Sequence, residues 1–336
     1  MLNFSLLRPA PRYPAYPPYH TGKYLEEYFY SFYLENKSKF DNTGYTLIPI
    51  FWTNLYINQF PNNTIQEYIN FLPKAKYFTV CQFDDGIQER LPENTINFVA
   101  GGNKDGIPIP LICSPIPEKY LEKKNKDIFC SFVGTYLNTE KYSCRLKLYE
   151  TFNTDKEFYF STPRPWSNVV QDNFFQEFCE ITKRSNFTLC PRGYGLQSFR
   201  LYEALQLGSI PVFVYNKSFF PFSEFIKWED FCILIHENEI TDLKNILKNI
   251  SLDQQQKMVL KGREIYEAYF TMKGMSYHIL KTLQNYEGDQ AHVGEVYANL
   301  VSVLEGRGTI STNGFEGLKT VEIIEKIYRA AGAFDA

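Results

Sequence analysis

Between residues 45 and 250, short apolar runs alternate with longer stretches that carry apolar residues on one helical side. Tyr45–Trp52, Tyr77–Phe83, Ile96–Ala100, Ile128–Val133, Glu157–Ser161, Phe187–Cys190, Ile210–Val214 and Phe231–Ile235 read as strands. Between or around them, Lys23–Phe40, Thr64–Leu72, Cys144–Phe152, Asn173–Arg184, Ser198–Leu207 and Glu239–Ile250 read as helices. Asn63 or Thr64 is placed to cap the second helix. Leu25, Phe29, Phe32 and Tyr33 form an aromatic face on the first helix, and Ile240, Leu243, Ile246, Leu247 and Ile250 share one side of the last. Strands that alternate with helices predict parallel sheets. Ile107-Pro108-Ile109-Pro110 holds two prolines too close for a central strand, so it is an edge or a linker.

The predicted fold class is therefore α/β, with two Rossmann-like doubly wound domains facing a cleft. The expected division is 1–118, an acceptor-side domain; 119–287, a donor-side domain; and 288–336, a helical tail or appendage. The tail is set apart by composition: all 18 prolines lie at or before Pro221, while the last 49 residues hold seven of the 19 glycines and no cysteine.

Composition narrows the function classes. Of 336 residues, 44% are hydrophobic and 22% charged, which excludes a disordered or collagen-like chain. A net charge of −3 supplies no field for a polyanion, so nucleic acid is not an expected partner. Seven scattered cysteines without a CxxC pair read as buried free thiols in a reducing compartment. Met1 to Pro14 lacks the apolar core of a signal peptide, and no run reaches the ~18 residues of a membrane span. The expected location is cytoplasmic, at most peripheral to the inner face of a membrane, and the oligomeric state stays open between monomer and homodimer.

The chemistry concentrates in Asn186–Val214. A strand runs into Pro191-Arg192-Gly193-Tyr194-Gly195, Ser198 can cap the helix that follows, and Gly208 ends it. Two glycines allow close backbone approach, a helix N-terminus offers N–H groups, and Arg192 presents a fork suited to phosphate oxygens. Glu203, on the first turns of that helix, can accept from ribose hydroxyls. The alternative is an Arg200–Glu203 pair on a solvated face.

These residues resemble the exostosin-type glycosyltransferase signature. It is carried by Pro191-Arg192-Gly193, Ser198-Phe199-Arg200-Leu201, Glu203-Ala204-Leu205, Gly208 and Ile210-Pro211-Val212, and continues through Pro221-Phe222, Trp228 and Phe231. Phe129 to Gly134, with Arg145 in the next helix, is also similar. Tyr77 to Gly86 and Ile107 to Pro110 look like the bacterial and viral members. The resemblance implies a GT-B fold of the GT47 type, an inverting mechanism and a nucleotide-sugar donor held by the C-terminal domain. The acceptor implied is a glycan or glycolipid of surface polysaccharide or lipopolysaccharide synthesis. Two rivals remain: a carbohydrate- or nucleotide-binding protein without catalysis, and a GDP-fucose-dependent fucosyltransferase-like enzyme.

An inverting transfer needs one base and positive charge for the departing diphosphate. The GT-B arrangement that the resemblance implies supplies that charge from Arg/Lys and helix N-termini, so no cofactor or metal is expected; Arg192 is the first choice and Arg145 the second. Gly134 ends a strand at the cleft, where it can admit the donor beside Gly193. For the base, Asp84 and Asp85 lie at a strand's carboxyl end. They can instead cap an Asp-Gly turn or, in principle, hold a metal. His20 is the other candidate base, or a loop histidine packed among tyrosines. Trp52 and the many tyrosines can stack on sugars or fill the core. His236 and His278 read as incidental. The tail, from His292 through Glu316–Ala331, weakly resembles the end of Gfo/Idh/MocA-type oxidoreductases. With no GxGxxG after an early strand, that likeness implies no oxidoreductase activity. The tail is a fusion remnant or appendage, or two amphipathic helices that complete the fold.

Overall fold

The computed structural model describes residues 4–11, 25–40, 43–102, 105–111, 115–135, 143–161 and 171–285. The chain forms two compact units, residues 1–280 and 281–336, and all elements named here lie in the first. His20, Cys113 and the tail from 288 onward fall outside the described residues.

Two parallel sheets form the unit, in an α/β arrangement. The first has four strands in the order β1-β2-β3-β4: Tyr45–Leu47, Lys76–Cys81, Ile96–Val99 and Ile107–Pro108. One face of β2, with Tyr77 and Cys81, is buried under α2 (Trp52–Ile57) and α3 (Asn62–Asn70) through Leu55, Ile65 and Ile69. Phe78, on the other face, meets Phe29 of α1 (Leu25–Asn36) edge-on at 6.1 Å. β4 is the edge that the two prolines require.

The second sheet has β5 (Ile128–Phe132), β6 (Phe158–Phe160), β7 (Ser185–Pro191), β8 (Ile210–Tyr215) and β9 (Ile233–His236), ordered β6-β5-β7-β8-β9. From β5 the chain steps one way through α4 (Ser143–Phe152) to β6. From β7 it steps the other way through α6 (Phe199–Gln206) to β8. Right-handed crossovers then place α4 and α6 on opposite faces. The cores agree. Cys144, Leu148 and Phe152 of α4 pack with Phe132, Leu189 and Val212, joined by Leu243 and Leu247 of α7 (Leu243–Lys248). Phe175, Phe178 and Cys179 of α5 (Asp172–Arg184) pack with Val133 and Leu207 on the other side. The strand order reverses between β5 and β7, and ligands of doubly wound sheets bind at that switch, outside the strands' carboxyl ends.

Several expectations are corrected. β1 stops at Leu47, and Trp52 opens α2 instead of ending a strand. Pro49 has no N–H to continue the ladder, and the buried carboxylate of Glu26 accepts from Thr53 N (3.2 Å), Thr53 Oγ1 (2.7 Å) and Gln82 N (3.0 Å), fixing the helix start from 27 residues away. Trp52 is fully buried with Nε1 donating to Thr79 Oγ1 at 2.8 Å, so it stacks on no sugar. α3 begins at Asn62 behind Pro61, and neither Asn63 nor Thr64 caps it. The segment expected as one helix over Glu239–Ile250 is a 3₁₀ turn, Glu237–Asp242, followed by α7. A helix absent from the expected pattern, α8 (Leu252–Ile265), opens with a reciprocal capping box between Ser251 and Gln254.

The two sheets meet at Gln197, which is 2% exposed. Its Nε2 donates to the carbonyls of Ala100 (2.6 Å) and Ile109 (2.8 Å). Its Oε1 accepts from Leu111 N (3.2 Å) and from the Tyr202 hydroxyl. Both donors and both lone pairs of one amide are therefore used. Leu196 N donates to Gly101 O at 2.8 Å beside it. Gln197→Glu keeps the shape but cannot donate to both carbonyls, and Gln197→Ala orphans all four partners. Each should cost about 3–5 kcal/mol, read as a fall in Tm of roughly 10 °C.

Candidate functional site

The expected loop forms as its residue types require. Pro191 ends β7 with no N–H of its own, and Arg192 N resumes the pairing with Val214 O at 3.0 Å. Gly193 N donates to Gln197 O at 2.8 Å and closes the loop. Ser198 caps α6, its Oγ accepting from Arg200 N at 3.3 Å, and Gly208 ends the helix at φ +70°. Ser198 is buried, so it shapes the loop from beneath.

The arginines divide between the two faces of the switch. On the α4 face, Arg145 Nε donates to Arg192 O (3.1 Å) and Arg145 Nη1 to Thr135 O (3.0 Å), spanning the exits of β7 and β5. Arg192 Nε lies 3.4 Å from Glu237 Oε2. On the α6 face, Arg200 Nη2 donates to Val133 O at 2.7 Å, and its guanidinium lies 3.6 Å from the centre of the Phe178 ring. Gly134 thus sits between two carbonyls, Val133 and Thr135, each held by an arginine from a different face. Its own N–H reaches Ser161 Oγ at 3.4 Å.

Arg200 Nη1 also donates to Glu203 Oε2 at 2.6 Å. The pair forms, as one of the two readings of Glu203 has it, but not on a solvated face: the side chains are 19% and 15% exposed. Burial pushes the Glu203 carboxyl upward and Arg200 opposes it. Arg200 itself is turned toward α5, where it braces the β5 exit and holds Glu203, instead of standing in the crevice as a donor ligand. Its Nε is buried without a hydrogen-bond partner.

From the first sheet, Phe83-Asp84-Asp85-Gly86 turns back on itself, with Gly86 N donating to Phe83 O at 2.9 Å. Among the described residues no donor reaches the Asp84 carboxylate, so it caps nothing. It lies against the donor-side loop: a methyl group on Gly195 would come within 2.8 Å of Asp84 Oδ1 and 2.6 Å of Gly101 O. A methyl on Gly101 would come within 2.3 Å of Asp84 Cα. Gly101 lets the exits of β2 and β3 approach each other, and Gly195 lets the donor-side loop close on that acid. Burial, aided by the Asp85 charge, pushes Asp84 up to about 6. The structure thus separates two adjacent carboxylates that the sequence left equivalent. Among the described residues, no group of three or more His, Cys, Asp or Glu is placed to hold a metal ion.

Sequence reasoning missed Gln197 and Glu237. Gln197 has no local signal. Glu237 follows an apolar strand at its carboxyl end, the edge that carries ligands in such sheets, and that position was a usable cue.

The raised Asp84 pKa has a stability sign. Folding favours the protonated form, so the contribution is fully present below the ordinary value near 3.8 and is lost as pH rises through about 6. Asp84→Asn should match wild type in Tm near pH 4 and exceed it above pH 6, in paired thermal melts.

With this geometry in view, the Exostosin GT47 domain profile matches residues 81–250, just over half of the chain, from the end of β2 through α7. Similar proteins include an exostosin-1 homologue of Caenorhabditis elegans, 32% identical over 108 residues that make up 32% of this chain and 28% of that protein. A probable glycosyltransferase of Arabidopsis thaliana is 36% identical, covering 27% of this chain and 18% of its own. A probable glucuronosyltransferase of Oryza sativa subsp. japonica is 30% identical, with 37% and 30% covered. The chain spans less than a third of the length of these relatives. Among solved structures, TarM is similar with a TM-score of 0.38 and 10% identity, over 66% of this chain and 53% of that one. A likeness at this level adds nothing to the fold read from the two sheets. On the profile match and the motifs it spans, the chain belongs to the exostosin GT47 domain family.

Proposed function

We propose that this chain is a glycosyltransferase that moves a sugar from a nucleotide-sugar donor to a glycan or glycolipid acceptor with inversion. One observation carries this reading. At the strand-order reversal of the second sheet, two arginines stand at the carboxyl edge, and an enclosed acid poised near neutrality is delivered beside their loop from the first sheet.

The division of labour follows from the charges. Arg192 and Arg145 meet the diphosphate, and Gly193 keeps the loop backbone near it. Glu203, fixed by Arg200, takes the ribose hydroxyls. Asp84 accepts the proton of the acceptor hydroxyl as the new bond to the anomeric carbon forms. The bond to the diphosphate breaks, and the nucleoside diphosphate leaves with its electron pair. A base with a pKa near 6 is ionised at neutral pH yet basic enough to take a proton in the transition state. Residues 1–118 are the acceptor side and 119–287 the donor side of this scheme. Among the described residues six cysteines are buried and free, which supports a reducing, cytoplasmic setting, and no described helix is long and apolar enough to cross a membrane. The names of several relatives make glucuronosyl donors the first to test, with UDP-, GDP-, CMP- and dTDP-sugars as the panel and EDTA against Mg²⁺ as the metal comparison.

Arg192→Ala should abolish transfer, and should lose the thermal stabilisation by donor that amounts to about 2.7 kcal/mol at 100 times Kd. Arg192→Lys should fall between, because it keeps charge and loses the fork. Wild-type turnover in a folded Arg192→Ala protein defeats this site. In the pH profile of kcat/KM, activity should rise through an apparent pKa near 6, and Asp84→Asn should remove both that limb and most of the rate, about 10²–10⁴-fold.

A further inference from the structure

Arg192 has a neighbour that the scheme above does not use. β9 ends at His236, and the residue after it, Glu237, is fixed through its main chain and its neighbours. Lys147 Nζ, from α4, donates to Glu237 O at 3.1 Å. His236 Nδ1 accepts from Asn238 N (3.3 Å), His236 N donates to Glu239 Oε2 (3.0 Å), and His236 Nε2 contacts Asn216 O (3.3 Å) at the exit of β8. With its backbone held on both sides, Glu237 presents its carboxylate to Arg192 Nε at 3.4 Å, three-quarters covered from solvent. The Cys144 thiol, at the start of α4, feels all three charges: burial raises it most, Arg192 and Arg145 draw it down, and Glu237 pushes it up. Among the described residues, two cations and one anion therefore converge at the mouth of the switch.

We propose that Glu237 is a positioning residue for Arg192 and sets how tightly the nucleoside diphosphate product is held. This rests on the reading of Arg192 as the diphosphate ligand. The carboxylate does two separable things. It accepts a hydrogen bond at Nε, which orients the planar guanidinium. It also offsets one of the two positive charges, so that the site stabilises the charge developing on the leaving group without trapping the departed product. Product release limits turnover in many transferring enzymes, and a doubly cationic site would slow it.

Glutamine separates the two roles, since it keeps an acceptor for Nε and removes the charge, whereas alanine removes both. The test is calorimetric titration of the wild type, Glu237→Gln, Glu237→Ala and Arg192→Ala with UDP, GDP and inorganic pyrophosphate, together with donor KM and kcat. Glu237→Gln should bind the diphosphate about 5-fold more tightly, from the loss of a partly screened like-charge interaction, with kcat reduced by slower release. Glu237→Ala should bind it more weakly than Glu237→Gln and should raise donor KM. A general structural role would instead weaken binding in both variants alike, in step with Tm, and would overturn the proposal. So would both variants binding within 2-fold of wild type while Arg192→Ala loses binding. If Arg192→Ala binds pyrophosphate and nucleotides as wild type does, or if wild type binds none of them, the reading of Arg192 itself fails.

Discussion

The amide of Gln197 is the contact on which the rest of the unit depends. It lies at the entry to α6, on the donor-side loop, and bonds the main chain at Ala100, Ile109 and Leu111 of the first sheet. A buried amide of this kind is worth having only when every polar atom is satisfied, because each orphan costs more than a bond returns. Here all four positions are filled, so the relative place of the two sheets has one low-energy solution. Leu196 and Phe219 follow from it. They are sequence neighbours of second-sheet strands, yet they pack in the first sheet's core with Val99 and Cys81.

That junction decides which acid is available. Because Leu196 N is held on Gly101 O, Gly195 is carried over Asp84, and only hydrogen fills the space between them. Burial with no donor in reach among the described residues is unfavourable for an ionised carboxylate and, with the Asp85 charge, raises its pKa. A protein under selection for stability alone would place an amide or an apolar group there. An acid that costs stability at the pH where it is ionised, at the carboxyl end of its strand, is the feature on which the proposal of Asp84 as the base rests.

Much of this was legible. The alternation of short apolar runs with one-sided helical stretches predicted parallel sheets, and both sheets are parallel throughout. Paired prolines predicted an edge, and β4 is one. Ser198 and Gly208 predicted the two ends of α6, because caps are local. The capping box of Ser251 and Gln254 was equally local and could have revealed α8. What escaped depends on distant partners. Trp52 opens a helix because Glu26 receives Thr53, 27 residues after it. Arg200 has the composition of a phosphate ligand, and only the position of Phe178 and Val133 shows it turned toward α5. Asp84 and Asp85 are indistinguishable as letters, and Gly195 of the other sheet tells them apart.

The arginines show the same logic of division. A doubly wound sheet reverses direction once, so the helices beside its switch lie on opposite faces. A cation on each face can grip the exit of β5 from its own side, and Arg145 and Arg200 do so at carbonyls that flank a single glycine. Gly134 therefore has its main chain fixed by charge while its own position carries no side chain. Close approach of a ligand then needs no rearrangement of the strand end. Rigidity here comes from guanidinium-to-carbonyl bonds, which do not compete for the anionic groups a donor would bring. Arg192, by contrast, has a carboxylate among its partners, which offsets its charge, whereas the Arg192 and Thr135 carbonyls that Arg145 bonds are neutral acceptors and offset none.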